Sequence, residues 1–162
     1  MRPSAAVPLL LVAALMVGLP SDVPACSCTN LPEFDRAYQQ SDVIFLGEVL
    51  GVESAEPEYY DAVWATLRVD ADWKGSPPAT VRVLTASNEG ACGFTFHPGE
   101  RYLVFAFSDG NGSWWGNPAP GVLMTHLCWR THAWWAEDPD LVALGPVPVA
   151  ARSWGAVKVR YR

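Results

Sequence analysis

The sequence predicts a mainly β protein, a five-stranded and partly open Greek-key barrel with short helices at its periphery. Five short stretches in the body of the chain have strand-like patterns of apolar residues, and turn-forming residues separate them. Two further stretches, one near each end of that body, have helical spacing or helix-capping residues. A chain of 162 residues that is 50% apolar has room for one densely packed domain. Short strands separated by turns are typical of small barrels.

The predicted strands differ in pattern. The clearest is the second, because a period-two alternation continues over residues 63–73. The first, DVIFLGEV, is a nearly continuous apolar run that is typical of a buried strand. Residues 51–61 contain Glu, Pro and Tyr and are predicted to connect these two strands as a hairpin. The five strands are predicted at residues 42–49, 63–73, 80–85, 101–107 and 121–127.

Two short helices are predicted beside the strands. Pro32 and Glu33 suit a first helical turn, and the apolar residues that follow have the spacing of one helix face. Asp138 and Pro139 predict the start of a second short helix, and Gly145 predicts its end. The predicted apolar face of the first helix consists of Leu31, Phe34, Ala37 and Tyr38.

Residues 1–25 have the layout of a secretory signal peptide. Arg2 gives a positive start, and the apolar run 5–19 is too short to span a bilayer comfortably. The small residue Ala25 suits signal peptidase, so we expect cleavage there and a secreted, extracellular or periplasmic product without a membrane span. The alternative is a lipoprotein anchored through Cys26, but the preceding Pro is unfavourable and lipidation would leave an odd number of cysteines.

Charge and composition argue against several classes of protein. The formal net charge of −6 lacks the basic surface that a nucleic-acid or heparin binder carries. His97, His126 and His132 do not have the spacing of a zinc site, so we expect the chain to hold no metal or cofactor of its own. Residues 109–113 match the start of a calcium loop, but Pro120 stands where the bidentate Glu is needed. No nucleophile–base pair is evident, so we expect that the protein is not an enzyme. We also expect it to be a monomer.

Four cysteines in an exported chain predict two disulfides. Three pairings of Cys26, Cys28, Cys92 and Cys128 are possible, and a bridge from Cys26 to Cys28 would form a strained ring that constrains nothing. Both remaining pairings attach the N-terminus of the mature chain to two distant positions. A bridge from Cys26 to Cys92, for example, would stabilise the folded state by about 4 kcal/mol in the chain-entropy model. The attachment either stabilises a small secreted domain or makes the terminus the functional part, and the residues leave both interpretations open.

A set of collinear motifs resembles the netrin-like module of the tissue inhibitors of metalloproteinases. The motifs are Cys26-Ser27-Cys28, Ala37-Tyr38, Ser41-Asp42-Val43-Ile44, Trp73-Lys74-Gly75, the stretch TASNEGACGF at 85–94, GERYLVF at 99–105, and Cys128. The resemblance covers residues 26–145 and implies an OB-fold-like barrel with disulfides Cys26–Cys92 and Cys28–Cys128. The family's third disulfide in this module is missing, since Tyr38 stands at its first position. Residues 146–162 form a C-terminal extension of unknown role in place of the family's second, Cys-rich subdomain.

The resemblance implies inhibition of a secreted or cell-surface zinc metalloprotease. In this family, the α-amine and carbonyl oxygen of the first cysteine, here Cys26, bind the zinc of the target protease. Such binding suits a catalytic zinc, which keeps one position open for water. The resemblance places Ser27 at the specificity pocket beside the zinc, and Thr29 with Glu89, Gly90 and Ala91 on the flanking ridge. Removal of the signal peptide would then activate the inhibitor, because it creates the free amine.

The tryptophans suggest a second function. Neighbouring indoles cannot all face inward from regular strands, and exposed indoles can stack on sugars or bind a protein partner. Alternatively, they cover the open ends of the barrel. The second interpretation of the chain is therefore a non-inhibitory extracellular binding module for a glycan or protein partner. The tryptophans in question are Trp114, Trp115, Trp129, Trp134 and Trp135.

Overall fold

The computed structural model describes residues 26, 28, 30–108 and 120–146. Within them the protein is mainly β, with one five-stranded antiparallel sheet and two short helices. The predicted signal peptide, Ser27, Thr29, the loop at 109–113 and the pair Trp114-Trp115 lie outside the described residues, as does the extension beyond Pro146. Neither described helix has the length and hydropathy needed to span a bilayer.

The sheet has the strand order β3-β2-β1-β4-β5. The first four predicted strands are confirmed, with shifts at their ends. β1 runs to Ser54 instead of ending at residue 49, because Val52, Glu53 and Ser54 continue to pair with β2. The hairpin connection predicted at 51–61 is therefore shorter and covers residues 55–61. The strands are β1 (Val43–Ser54), β2 (Ala62–Lys74), β3 (Thr80–Ala86), β4 (Arg101–Ala106) and β5 (His132–Ala133).

The fifth strand predicted at 121–127 is wrong. β5 of the sheet is the two-residue strand His132–Ala133, which pairs with Tyr102 and Leu103 of β4. Around Met124 the chain forms single bridges on both sides, parallel to Leu84 and antiparallel to Phe107. The pairing stays this short because the chain turns away after Thr125, and the amide of Leu127 then donates to the carbonyl of Cys92 at 2.8 Å.

Both predicted helices form. Helix α1 (Phe34–Gln40) begins after Glu33, so Pro32 and Glu33 precede its first turn and exposed Leu31 lies outside it; Ala37 is its buried residue. Helix α2 (Pro139–Leu144) begins after Asp138, whose carboxylate accepts from the amide of Asp140 at 2.9 Å. The cap gives the Asp140 amide a partner, and Pro139 in the first turn has no N–H that would need one. Gly145 ends α2 at a φ of 74°, as the sequence predicts.

Apolar residues cover both faces of the sheet. One face carries the largest cluster, in which Phe45, Leu67 and Val104 are fully buried. On the opposite face, Ile44 and Phe105 pack under α1 and α2. A third cluster surrounds Trp64, which the alternation of β2 places away from the main core. This indole is nevertheless only 9% exposed, because Tyr59 and Met124 cover it, and the Arg82 guanidinium lies 4.4 Å from its ring.

Candidate functional site

Two disulfides bring the start of the described chain onto the body of the protein. Cys26 is bonded to Cys92, and Cys28 to Cys128, which is the pairing implied by the family resemblance. The Cα–Cα distances are 5.1 and 5.2 Å, within the usual range for a disulfide. We call Cys26, Cys28 and the adjacent turn Glu89–Ala91 the terminal ridge. All three ridge residues of the turn remain half-buried or exposed.

The backbone nitrogen of Cys26 lies against that turn. It donates to the carbonyl of Gly90 at 3.3 Å, while the side chain of Cys26 is bonded to Cys92 at the end of the same turn. Cys26 is therefore held twice by one short segment, through a covalent bond and a hydrogen bond. The start of the described chain therefore has a defined orientation.

The turn itself is a single 3-10 turn with its own cap. The side-chain oxygen of Asn88 accepts from the amide of Ala91 at 3.0 Å, and the carbonyl of Asn88 accepts from Gly93 at 2.9 Å. Cys92 has a φ of 61°, a left-handed conformation that is uncommon for a residue with a side chain. The disulfide, the cap and the left-handed residue together fix the path of the turn.

Asp61 connects this turn to the β1–β2 connection. Its carbonyl accepts from the amide of Ser87 at 2.9 Å, and its carboxylate accepts from the hydroxyl of Ser87 and from the Asn88 side chain. Neither Asp61 nor Asn88 was predicted from the sequence to belong to the site. The signal that points to Asn88 is an Asx residue three positions before Ala91, the pattern of a side-chain cap.

Gly93 is required by close packing beneath the ridge. A Cβ atom built on it would overlap the carbonyl oxygen of Ala86 and come within 2.8 Å of that of Asn88. The next amide, of Phe94, donates to the hydroxyl of the buried Thr85 at 2.8 Å. The end of β3 is thus in direct contact with Gly93 and Phe94, so the segment that follows the ridge turn is anchored to the sheet.

His126 is buried next to Cys128 of the second disulfide. Its Nδ1 accepts from the amide of Cys128 at 3.2 Å, and its ring packs against Phe107 and Trp129. Burial lowers the pKa of His126 to about 4, because desolvation disfavours the charged imidazolium. The imidazole is therefore neutral at pH 7 and serves as a hydrogen-bond acceptor for the backbone at Cys128.

A second group of polar side chains lies at the start of α2. Both carboxylate oxygens of Asp140 accept from the guanidinium of Arg130, which also donates to the carbonyl of Pro32 at 3.0 Å. The ion pair with Asp140 raises the pKa of Arg130. Asp138, which is fully buried, lies 2.6 Å from Nε2 of His132, whose Nδ1 is 2.6 Å from the carbonyl of Arg130. These contacts join three parts of the chain: the residues before α1, the segment around β5, and the start of helix α2.

An apolar cleft lies beside this network. We call it the tryptophan cleft; it has a volume of about 220 Å³, and Leu31, Trp129 and Trp135 form its apolar walls. Trp129 is half-buried, and its indole N–H donates to the hydroxyl of Ser41 at 3.2 Å. Trp134 and Trp135 are 39% and 46% exposed. Of the three described members of the predicted tryptophan group, one therefore covers the sheet and two face solvent.

Within the part of the chain that the structure describes, two groups of side chains have metal-ligand chemistry. Three sulfurs, those of Cys26, Cys92 and Cys128, lie within 4.8 Å of one another, but disulfide bonds leave no thiolate to bind a metal. The other group consists of His132, Asp138 and Asp140. Arg130 already binds both oxygens of Asp140, and both ring nitrogens of His132 have partners. This second arrangement is chemically an ion-pair network in which a cation is already present.

No family model matches this chain, and no curated protein sequence matches it either. Its site must therefore be interpreted from its own geometry. Of the ridge predicted from the sequence, Cys26, Cys28 and Glu89–Ala91 are brought together around the two disulfides. The Arg130–Asp140 pair was not predicted from the sequence, because Arg130 lies in the loop before β5, Asp140 lies in α2, and only opposite charge relates them.

Proposed function

We propose that the mature chain inhibits a zinc metalloendopeptidase by binding its catalytic zinc through the α-amine and carbonyl oxygen of Cys26. The observation that carries the proposal is the double attachment of Cys26 to an exposed turn, by the disulfide to Cys92 and the hydrogen bond to Gly90. A ligand whose geometry is fixed beforehand loses little conformational entropy when it binds. The zinc belongs to the partner protease, and the inhibitor supplies two ligand atoms to it.

The sheet supports the netrin-like, OB-fold part of the proposal. β3 and β4 lie on opposite sides of the β2–β1 pair, and the chain at Met124 pairs with Leu84 of β3 and with Phe107 just after β4. Because this segment bridges β3 on one side of the sheet and the residue after β4 on the other, it brings the two sides of the sheet together. We infer from this a small Greek-key barrel in which residues 123–125 provide the closing contact.

The chemistry at the amine follows from its neighbours. A neutral amine has one lone pair and two hydrogens, and donation of one hydrogen to Gly90 leaves the lone pair for the zinc. The usual pKa of an α-amine, about 7.7–8.0, means that losing its proton at pH 7 costs only about 1 kcal/mol. A chain that still carries Ala25 has a peptide nitrogen at Cys26, which lacks an available lone pair. Removal of the signal peptide is therefore part of the proposed activation.

The rest of the ridge would contact the protease on either side of its zinc. Glu89 and Gly90 are exposed and Ala91 is half-buried, so this turn offers a narrow edge that includes one negative charge. Its position relative to Cys26 is maintained by Asn88 and Asp61. Ser27 and Thr29 complete the proposed contact, with Ser27 at the specificity pocket.

The proposal is tested by titrating several zinc metalloendopeptidases with three forms of the chain. The first form begins at Cys26, the second is the same form acetylated on the α-amine, and the third begins at Ala25. We expect inhibition by the first form and a loss of at least about a hundredfold for the other two, equivalent to about 2.7 kcal/mol. Inhibition by the first form should also weaken as the pH falls from 8 to 6, because the amine becomes protonated.

Equal inhibition by all three forms would contradict zinc binding through Cys26. Peptide mapping of both disulfides in each form is the control, since a mispaired chain would be inactive for another reason. Inhibition by none of the forms, with both disulfides correct, would reject the proposed function for the enzymes in the panel.

A second candidate function is favoured by the exposed indoles of Trp134 and Trp135. The tryptophan cleft that Trp135 helps to line combines apolar residues with polar ones such as Arg130 and His132, a combination that suits a glycan or a protein side chain. A non-inhibitory binding module that used this surface would not depend on the Cys26 amine. Its binding to a partner would be the same for the free, acetylated and Ala25-containing forms, which distinguishes it from the inhibitor.

A further inference from the structure

The two disulfides are in contact with each other. The sulfur of Cys26 lies 3.7 Å from that of Cys128, although the two residues belong to different bridges. A disulfide bond is about 2.05 Å long, so the two sulfurs need to approach by only about 1.6 Å to bond. The four cysteines are half-buried, so a small reductant can reach the group.

We propose that the two bridges exchange: reduction of Cys26–Cys92 by a dithiol is followed by transfer of the remaining disulfide from Cys28–Cys128 to Cys26–Cys128. The first thiolate of the dithiol attacks the sulfur of Cys92 and releases Cys26 as a thiolate. The second thiol of the reductant then releases Cys92 and leaves the reductant as a disulfide. These steps consume two electrons, all of which come from the dithiol.

The second stage needs no further electrons. The Cys26 thiolate attacks the sulfur of Cys128, the Cys26–Cys128 bond forms, and the Cys28–Cys128 bond breaks with Cys28 leaving as a thiolate. The chain then contains one disulfide and two thiols, at Cys28 and Cys92. A disulfide oxidant can reverse the whole sequence, because no atom has been lost.

Tethering favours the exchange. After the first reduction, Cys28 is still bonded to Cys128, so Cys26, only two residues away, cannot leave the neighbourhood of the target sulfur. Reactions between groups held together in this way have a high effective concentration. Cys92, in contrast, remains in a turn that the Asn88 cap and the Asp61 contacts hold in place. Cys26 is therefore the attacking residue of the pair.

The exchange is tested on the folded, disulfide-bonded chain with dithiothreitol as the dithiol. Short treatment is stopped with acid, free thiols are blocked with a maleimide, and the chains that retain one disulfide are mapped by peptide mass spectrometry. We expect labels on Cys28 and Cys92 in most of these chains. The fraction of single-disulfide chains that is labelled on Cys28 and Cys92 should not change with protein concentration, because the exchange occurs within one molecule.

The double variant Cys28→Ala, Cys128→Ala is the matched control. It lacks the target disulfide, so reduction should label Cys26 and Cys92 and nothing else. If wild-type chains with one disulfide are labelled only at Cys26 and Cys92, or only at Cys28 and Cys128, the bridges are reduced independently and the proposal is overturned. A proportion that rises with protein concentration would also overturn it, because the exchange would then occur between molecules. Neither result depends on whether the chain inhibits a protease.

Discussion

Acidification from pH 8 to pH 5 should destabilise the fold through His126. The side chain is 7% exposed, and burial lowers its pKa from 6.5 to about 4. The unfolded chain therefore takes up a proton at this residue as the pH falls through 6.5, whereas the folded chain does so only near pH 4. The stability that neutral His126 contributes is complete above pH 7 and is lost progressively between about pH 6.5 and pH 4.

The size of the effect follows from the same values. Each pH unit of this interval is worth about 1.4 kcal/mol for one proton, so the loss at pH 5 is about 2 kcal/mol. For a domain of this size, that is a large part of a typical stability of about 5–15 kcal/mol. The measurement is urea unfolding, followed by tryptophan fluorescence at several pH values with both disulfides intact.

His126→Asn is the matched variant. Its side-chain oxygen can still accept from the amide of Cys128, which bonds Nδ1 of His126 at 3.2 Å in the native chain, but the variant has no proton to take up at this position. It loses ring contacts with Phe107 and Trp129, so its stability at pH 8 should be lower. The other histidines, His97 and His132, are common to both proteins. If wild type and variant lose the same free energy of unfolding between pH 8 and pH 5, the reasoning about His126 is refuted.

Two further predictions concern packing and charge. Gly93→Ala should destabilise by more than about 2 kcal/mol, because the new Cβ overlaps the carbonyl of Ala86, whereas Gly51→Ala, where a Cβ would meet nothing, should change stability by less than about 1 kcal/mol in thermal unfolding. Equal effects of the two substitutions would contradict the close-packing argument. Arg130→Met should cost about 3–5 kcal/mol in urea unfolding, because it leaves the 4%-exposed Asp140 without its cation, and adding Asp140→Leu should recover part of that loss. A double variant less stable than Arg130→Met would argue against an uncompensated buried charge.

The sheet shows which structural features local sequence patterns predict and which they do not. The alternation along β2 correctly predicts the burial of Ala65, Leu67 and Val69, because period two places alternate side chains on one face. It does not predict that Trp64 on the other face is buried too, since that depends on Tyr59 and Met124 from distant parts of the chain. The strand predicted around Met124 fails for a related reason. Its residues have strand-like hydrophobicity, but its neighbours offer pairing at one position only.

The candidate site likewise combines features that could be predicted from the sequence with contacts that could not. The cysteines themselves are evident in the sequence, while the resemblance supplied both their pairing and the segment Glu89–Ala91. The contacts that hold the turn, from Asp61 to Ser87 and Asn88, join residues that no local pattern relates. The sequence also could not show which tryptophans are buried and which are exposed, because the exposure of an indole depends on whether a neighbour such as Ser41 lies beside it.

By itself, the sequence determined the β class, the positions of four strands, two short helices, the capping residues of α2, and a set of four cysteines compatible with more than one pairing. These features depend on periodicity, capping and backbone sterics, which act over a few residues. Tertiary structure decided the pairing across separations of 66 and 100 residues, the burial of His126 and Trp64, and the exposure of Trp134 and Trp135. It also decided that Cys26 and Cys128 touch. Such contacts arise only when the chain is packed, because the free energy that selects them comes from burial shared among distant elements.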